Sequence, residues 1–331
     1  MPVLPPVAVA ACALAASASA LVTWWRMTAP FSPVAVAMGT VEISPGVHMP
    51  LLANGIARDH TVWLQNGGRH IDTAYLYGDD QQRKVGGAIR IFRDEVPRGQ
   101  IFVTTKVTCC PSDRCSHFCD KPPNSVGLRA TANVTEQIHH SLALLGVEYV
   151  DLLLLHFPCS RFEDTARAYA QLEAIHASGR ARAIGVSNLN ASALKALLAV
   201  AKVKPAVNQV GLSIAGHPAS HDGKAAGCEE GSRRYGSDLD TVSFGRRHGV
   251  TTMAYSPLGR ISHVDVLGQR RVQKAAERHK KTSAQVALRW LTQQGIAAVT
   301  ATSNSQHAAE ALDSSSFDLT WWEMRALSGL R

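Results

Sequence analysis

Three features are missing from this 331-residue sequence, and each absence narrows the field. No run of five or more Lys and Arg occurs, although the formal charge is +8. Scattered basic residues do not make a phosphate-binding stripe, so no nucleic-acid partner is expected. No G-x-G-x-x-G joins a first strand to a helix; VGGAIR, residues 85–90, is a glycine pair inside a helical pattern. That argues against a doubly wound dinucleotide fold. Outside residues 3–25, no stretch is long and apolar enough to span a bilayer.

Cysteine is present, but not in a pattern that defines a class. The seven are Cys12, Cys109, Cys110, Cys115, Cys119, Cys159 and Cys228, and an odd total is not a finished disulfide framework. Cys109, Cys110, Cys115 and Cys119 crowd one insertion with His117. Their spacing is not the paired C-x₂-C of common zinc sites. Packed thiols, disulfides and a metal all remain open for that loop, and no metal ligand is assigned.

Residues 3–25, VLPPVAVAACALAASASALVTWW, carry no charge and contain two A-x-A triplets ending at Ala18 and Ala20. A signal peptide, a signal anchor and an organelle-targeting leader all share this composition, although a basic n-region is missing, and a merely disordered apolar tail is the alternative. Residues 1–35 are therefore set apart as an apolar leader, and 36–331 as the folded domain. The leader points to a secretory, membrane-anchored or organellar location. It is also the one expected route to a membrane.

What is present is alternation. Hydrophobic residues make up 46% of the chain, enough for a sizeable core. VEISPGVHMP reads as a β-hairpin around Pro45–Gly46, followed by a strand LLANG. From there strand and helix alternate about eight times, without a composition shift to mark a boundary. VDLLLLHF is a near-continuous apolar strand, as in parallel sheets covered on both faces. DDQQRKVGGAIRIF keeps Val85, Ala88, Ile89 and Phe92 on one helical face behind an Asp in the N-cap position. The fold expected is α/β, a (β/α)8 TIM barrel with an N-terminal β-hairpin.

In such a barrel, chemistry collects at the carboxyl ends of the strands. Asp72 ends HID, Lys106 closes VTTK, and His156 follows LLLL; Tyr77 lies just past the first of these. A phenol with a pKa near 10 is a weak acid at neutral pH, and a neighbouring ammonium eases its ionisation. A buried Lys needs a carboxylate to stay charged, which Asp72 can provide. His156 can donate to the same substrate oxygen. Together the four suit proton transfer to an oxygen whose carbon gains hydride.

These residues carry a resemblance to the aldo-keto reductase family. HIDTAYLYG is similar to its D-T-A-x-x-Y-G signature, VTTKV to its lysine strand, and VDLLLLHFP to its histidine strand. GVSN, NQV and AYSPLG are similar to its cofactor-contacting strand ends, so the likeness runs over about residues 40–331. The resemblance implies a reductase of aldehydes or ketones using NADPH, with Asp72, Tyr77, Lys106 and His156 as catalytic residues. Tyr77, not Tyr75, is then the general acid. Ser187, Asn188 and Gln209 would hold the nicotinamide carboxamide, and Tyr255 would stack on its ring. Gly55, Ser256, Leu258, Ser303, Asn304 and His307 complete the implied cofactor contacts. The family's default is a monomer in the cytoplasm acting on a small carbonyl compound. A weakly catalytic, NADPH-binding redox-sensing subunit is the alternative on the same scaffold.

Two places depart from the family pattern. Thr302 stands near the position of a phosphate-gripping Lys, and His307 near that of an Arg, so NADH becomes the alternative to NADP. Gly211 stands where Glu is usual after NQV, just before an inserted loop at about 214–236.

Overall fold

The computed structural model describes residues 39–108, 133–159, 161–215, 239–259 and 265–330. Two short strands, β1 (Thr40–Ser44) and β2 (Val47–Pro50), form the antiparallel hairpin. Gly46 turns it at φ 71°, a left-handed conformation that glycine adopts without strain. Eight further strands follow. They are β3 (Leu52–Asn54), β4 (His70–Asp72), β5 (Phe102–Val107) and β6 (Val150–Leu155), then β7 (Ala181–Ser187), β8 (Val207–Gly211), β9 (Thr251–Tyr255) and β10 (Ala297–Thr300). They close in the order β10-β3-β4-β5-β6-β7-β8-β9, with every neighbouring pair parallel. The expected (β/α)8 barrel with its amino-terminal hairpin is the fold observed.

The strand period of two divides the core. On β6, Leu152 and Leu154 join an inner cluster with Phe102, Ala183, Val207, Met253 and Val299. Leu153 and Leu155 join the outer layer under the helices. Both faces are dry, which is why this strand reads as unbroken leucine. Each of the four leucines is fully buried, and burial of one such side chain contributes about 1.5–3 kcal/mol. Ile43, Val47 and Met49 of the hairpin belong to the inner cluster, so the hairpin plugs the amino end of the barrel. Arg182 fastens it by donating to the carbonyl of Gly46 at 3.2 Å.

The helices are α1 (Thr61–Gln65), α2 (Asp79–Phe92), α3 (Val134–Leu145), α4 (Phe162–Ala177) and α5 (Ala191–Leu198). They continue with α6 (Leu239–Arg247), α7 (Arg270–His279), α8 (Ser283–Thr292), α9 (Ser305–Asp313) and α10 (Trp321–Ser328). Capping boxes start α3 (Asn133 with Glu136), α8 (Thr282 with Gln285) and α10 (Thr320 with Glu323). Gly86 is required where α2 meets α3: a Cβ there would lie 2.6 Å from the carbonyl oxygen of Leu144.

Three details differ from the sequence expectation. Gly78, not Asp79, caps α2, because φ 85° at that position suits glycine alone. Helix α4 begins at Phe162, ahead of the segment TARAYAQLEAIHASG that reads as helical in the sequence. Helix α10 was not expected, although Thr320-x-x-Glu323 is a capping-box signal.

The leader, the Cys109–Cys119 loop with His117, and most of the 214–236 insertion lie outside the described residues. Cys159 is disulfide-bonded. Among the described residues no helix is long and apolar enough to cross a membrane.

Candidate active site

The site is the inner face of the barrel continued by one residue toward the carboxyl end. Inward positions alternate along each strand: Phe102, Thr104, Lys106 on β5; Leu152, Leu154, then His156 beyond β6; Val207, Gln209 on β8. In each series an apolar plug residue is succeeded by a polar one. The plug keeps water out from below and leaves the polar ends at the mouth.

Lys106 is wholly buried and Asp72 nearly so. The Lys106 ammonium donates to Asp72 Oδ1 at 2.5 Å, to the carbonyl of Thr73 at 3.0 Å and to Tyr77 Oη at 3.3 Å. All three donor hydrogens are therefore placed. Burial alone would discharge this lysine. The carboxylate of Asp72 and the hydroxyl of Tyr77 outweigh that, and its pKa lies above the usual lysine value.

Tyr77 is half-buried in the single turn after β4, with Lys106 Nζ 4.9 Å from its ring centre. Burial pushes its pKa above 10, the charge of Lys106 draws it down, and Asp72 pushes it up again; the net direction is upward. The sequence reading emphasised the lowering by Lys106. In the fold, desolvation is the larger effect, so the phenol is protonated at neutral pH. Tyr75 is turned elsewhere. Its ring meets His140 edge-on at 6.0 Å, and burial, followed by Asp79 and Glu136, raises its pKa to about 12.

His156 packs edge-on against Tyr77 at 5.7 Å and stacks on Phe157 at 4.5 Å. Desolvation and then Lys106 push its pKa well below 6.5, so the imidazole is neutral. Its Nδ1 is buried with no hydrogen-bond partner among the described residues. An orphaned buried nitrogen beside the phenol is suited to a ligand oxygen or amide.

The next three strand ends are knitted together. Ser187 Oγ donates to the Gln209 carbonyl at 2.8 Å. Asn188, at φ 63°, donates from Nδ2 to the His156 carbonyl at 3.0 Å and to Ser187 Oγ at 3.1 Å. Its Oδ1 accepts from the Tyr255 hydroxyl at 3.0 Å. Gln209 Nε2 donates to Asp72 Oδ2 at 2.8 Å and approaches Met253 Sδ at 3.2 Å. Both carboxylate oxygens of Asp72 are thus engaged, one by Lys106 and one by Gln209. Sequence reasoning missed that last bond. Strand periodicity would have brought Gln209 inward, but not opposite Asp72.

The remaining expected cofactor residues lie around β3, β9 and β10. Gly55 donates to the Thr300 carbonyl at 2.6 Å, and a Cβ at this position would lie 2.9 Å from Val299 Cγ1. Ser256, at φ 51°, and Leu258 are half-buried past β9. Ser303 Oγ accepts from the backbone N–H of Arg58 and Asp59 at 2.8 and 3.1 Å, joining the loop after β3 to the loop after β10. Asn304 caps α9 by accepting from the His307 N–H at 3.0 Å, and His307 is exposed in its first turn. Thr302 is clamped by Asn54, which accepts from its N–H at 2.9 Å and donates to its carbonyl at 3.2 Å. Arg58, an exposed cation in the loop bonded to Ser303, was not singled out from the sequence.

A closed parallel barrel with Lys, Asp, Tyr and His meeting at its carboxyl mouth defines a class of α/β enzyme scaffold. Residues 56–331 match the model of the Aldo/keto reductase family, and the chain belongs to that family. It is 33% identical over 300 residues to a 9,11-endoperoxide prostaglandin H2 reductase of Trypanosoma cruzi, covering 88% of this chain and 90% of that one. It is 32% identical over 308 residues to a morphine 6-dehydrogenase of Pseudomonas putida, with 88% and 90% covered. Among solved structures it is similar to a Bombyx mori aldo-keto reductase crystallised with NADP, at TM-score 0.70 and 24% identity, covering 88% and 92%.

Proposed function

We propose that this chain reduces the carbonyl of a small aldehyde or ketone to an alcohol, with NADPH as the reductant and Tyr77 as the general acid. The observation that carries the reading is the Tyr77 hydroxyl on a buried, charged Lys106 that is itself held by Asp72. NADPH, when bound, supplies hydride to the carbonyl carbon.

The chain's own residues handle the proton. Tyr77 enters protonated, since burial keeps its pKa above 10. It donates that proton to the carbonyl oxygen as charge builds there. Lys106, 3.3 Å away, stabilises the phenolate left behind. Asp72 keeps Lys106 charged throughout. His156, neutral at working pH, orients the carbonyl oxygen by a hydrogen bond. As a neutral imidazole it keeps its single N–H for that hydrogen bond, which leaves Tyr77 as the acid.

The donor set suits a nicotinamide. The amide of Asn188 is already occupied at both ends, by His156, Ser187 and Tyr255. Ser187 Oγ and Gln209 Oε1 are the acceptors left for a carboxamide. Tyr255, half-buried at the end of β9, would flank the ring. Gly55 and the Ser256–Leu258 turn would line the pyrophosphate, and Ser303, Asn304 and His307 the adenosine phosphate. Arg58 adds a permanent cation beside Ser303, which favours NADPH over NADH despite Thr302 and His307. The tetrad geometry favours turnover over a purely regulatory subunit.

The test is a paired titration with NADPH and NADH, read by quenching of Trp fluorescence, followed by NADPH consumption with nitrobenzaldehyde. Tighter binding of NADPH and aldehyde-dependent consumption are expected. Binding without consumption would leave only the regulatory reading; binding of neither nucleotide would remove both.

A further inference from the structure

We propose that the face formed by α7 and α10 docks on an anionic lipid bilayer. Helix α10 is held to the barrel by Glu323 and Leu327, four residues apart and both buried. Its outer side carries Trp321 and Trp322, which are 61% and 73% exposed. The indoles meet edge-on at 4.5 Å, and the guanidinium of Arg325 lies 5.4 Å from the ring centre of Trp321. Two adjacent solvent-facing tryptophans are a costly surface for a water-soluble helix.

The charge beside them is predominantly basic. Arg271 of α7 donates to the Ala326 carbonyl at 2.8 Å, and Arg278 to Glu323 at 2.9 Å. These contacts fix which side of α7 faces α10. Lys274, three residues after Arg271 and four before Arg278, lies in the same stripe and is exposed, as is Arg270. Ala326 and Trp322 are one helical turn apart, so Trp322 stands next to this stripe. Of the acids nearby, Glu323 is buried and covered by Arg278 and His279; Glu277 on α7 and Asp318, three residues before Trp321 and paired with Arg289, are exposed.

Indoles seat at the water–lipid boundary, and arginine and lysine beside them attract anionic headgroups. A second copy of the chain fits less well: a two-fold contact would set the basic stripe against itself. Nucleic acid would use the charge but leave the indole pair unexplained. The sequence repeats the same chemistry at its other end, where Trp24-Trp25-Arg26 closes the uncharged run 3–25. Four of the six tryptophans thus lie in two such pairs.

The full chain is co-sedimented with vesicles of phosphatidylcholine alone and of phosphatidylcholine with phosphatidylserine. Partitioning onto the anionic vesicles should be higher by about tenfold or more. Trp321→Ala/Trp322→Ala should lose about tenfold on those vesicles. Arg271→Gln/Lys274→Gln/Arg325→Gln should lose the preference for phosphatidylserine, with circular dichroism confirming that both variants fold. Equal partitioning of the wild type onto both vesicles overturns the proposal without any variant. So does unchanged binding by both folded variants, which would assign binding to residues 3–25, shared by all three proteins. Variant-sensitive binding to duplex DNA, or a variant-sensitive dimer, with no vesicle binding overturns it equally.

Discussion

Asp72 receives two donors at once, and this shapes the proposed proton donor, Tyr77, at one remove. Lys106 holds Oδ1 and Gln209 holds Oδ2. Replacing Gln209 by Met keeps the volume and removes the second donor. The carboxylate is then less compensated, and its field at Tyr77 becomes more negative. Ionisation of Tyr77, already disfavoured by burial, becomes harder still. In Gln209→Met the alkaline rise of alcohol oxidation, which requires the phenolate, should move to higher pH. Loss of the amide should also weaken cofactor binding roughly tenfold, as for one neutral buried hydrogen bond. A pH profile that stays in place while only cofactor affinity falls would reduce Gln209 to a cofactor ligand. The sequence made the identity of Asp72, Tyr77, Lys106 and His156 legible because each sits in a short signature at a strand end. It could not reveal the bond from Gln209 to Asp72, which joins residues on strands far apart in sequence.

At the level of elements, α2 and α3 offer a sharp contrast. Gly86 and Gly87 are adjacent in α2, yet one faces α3 and the other open space. Gly86→Ala would press a methyl to within 2.6 to 2.9 Å of the backbone at Leu144 and Leu145. The gain in helix propensity is at most about 1 kcal/mol, while overpacking costs about 1–3 kcal/mol. Gly86→Ala should therefore destabilise, and Gly87→Ala should stabilise by up to about 1 kcal/mol. Urea titrations of the two variants check this, and equal effects in both would disprove the packing account. The glycine pair was legible as helical; which of the two was obligatory was not, because that depends on the approach of a helix nearly fifty residues on. Helix α10 was overlooked for another reason. Its inner stripe is Glu323 and Leu327 with half-buried Met324, too short for a periodic signal, and its exposed tryptophans mask the polar face expected of a surface helix.

For the molecule as a whole, buried histidines tie stability to pH. Desolvation holds His60 and His70 at about 4, against 6.5 when unfolded. His70 lies between the Pro50 carbonyl at 2.9 Å and Thr104 Oγ1 at 2.8 Å, and burial outweighs the pull of that carbonyl toward the charged ring. The unfolded chain binds these protons first, so their contribution is complete above pH 6.5 and lost as pH falls through 4. The unfolding free energy from urea titrations should drop across that window, by about a few kcal/mol for the pair, and the midpoint with it. His70→Gln should flatten the drop, and a wild-type midpoint constant from pH 7 to 4 would contradict it. The barrel itself was readable from alternation, since eight strand–helix units without a Rossmann fingerprint fit a closed parallel barrel better than a doubly wound sheet. The substrate was not, because the loops that would select it are those least bound by the strand period. The central claim is that a buried, lysine-backed phenol is the proton source for carbonyl reduction. Turnover of nitrobenzaldehyde by Tyr77→Phe, with NADPH affinity measured in parallel, tests it most directly. Affinity should stay within a few-fold of wild type while kcat falls about 10²–10⁴-fold; a mutant as fast as wild type would contradict the account.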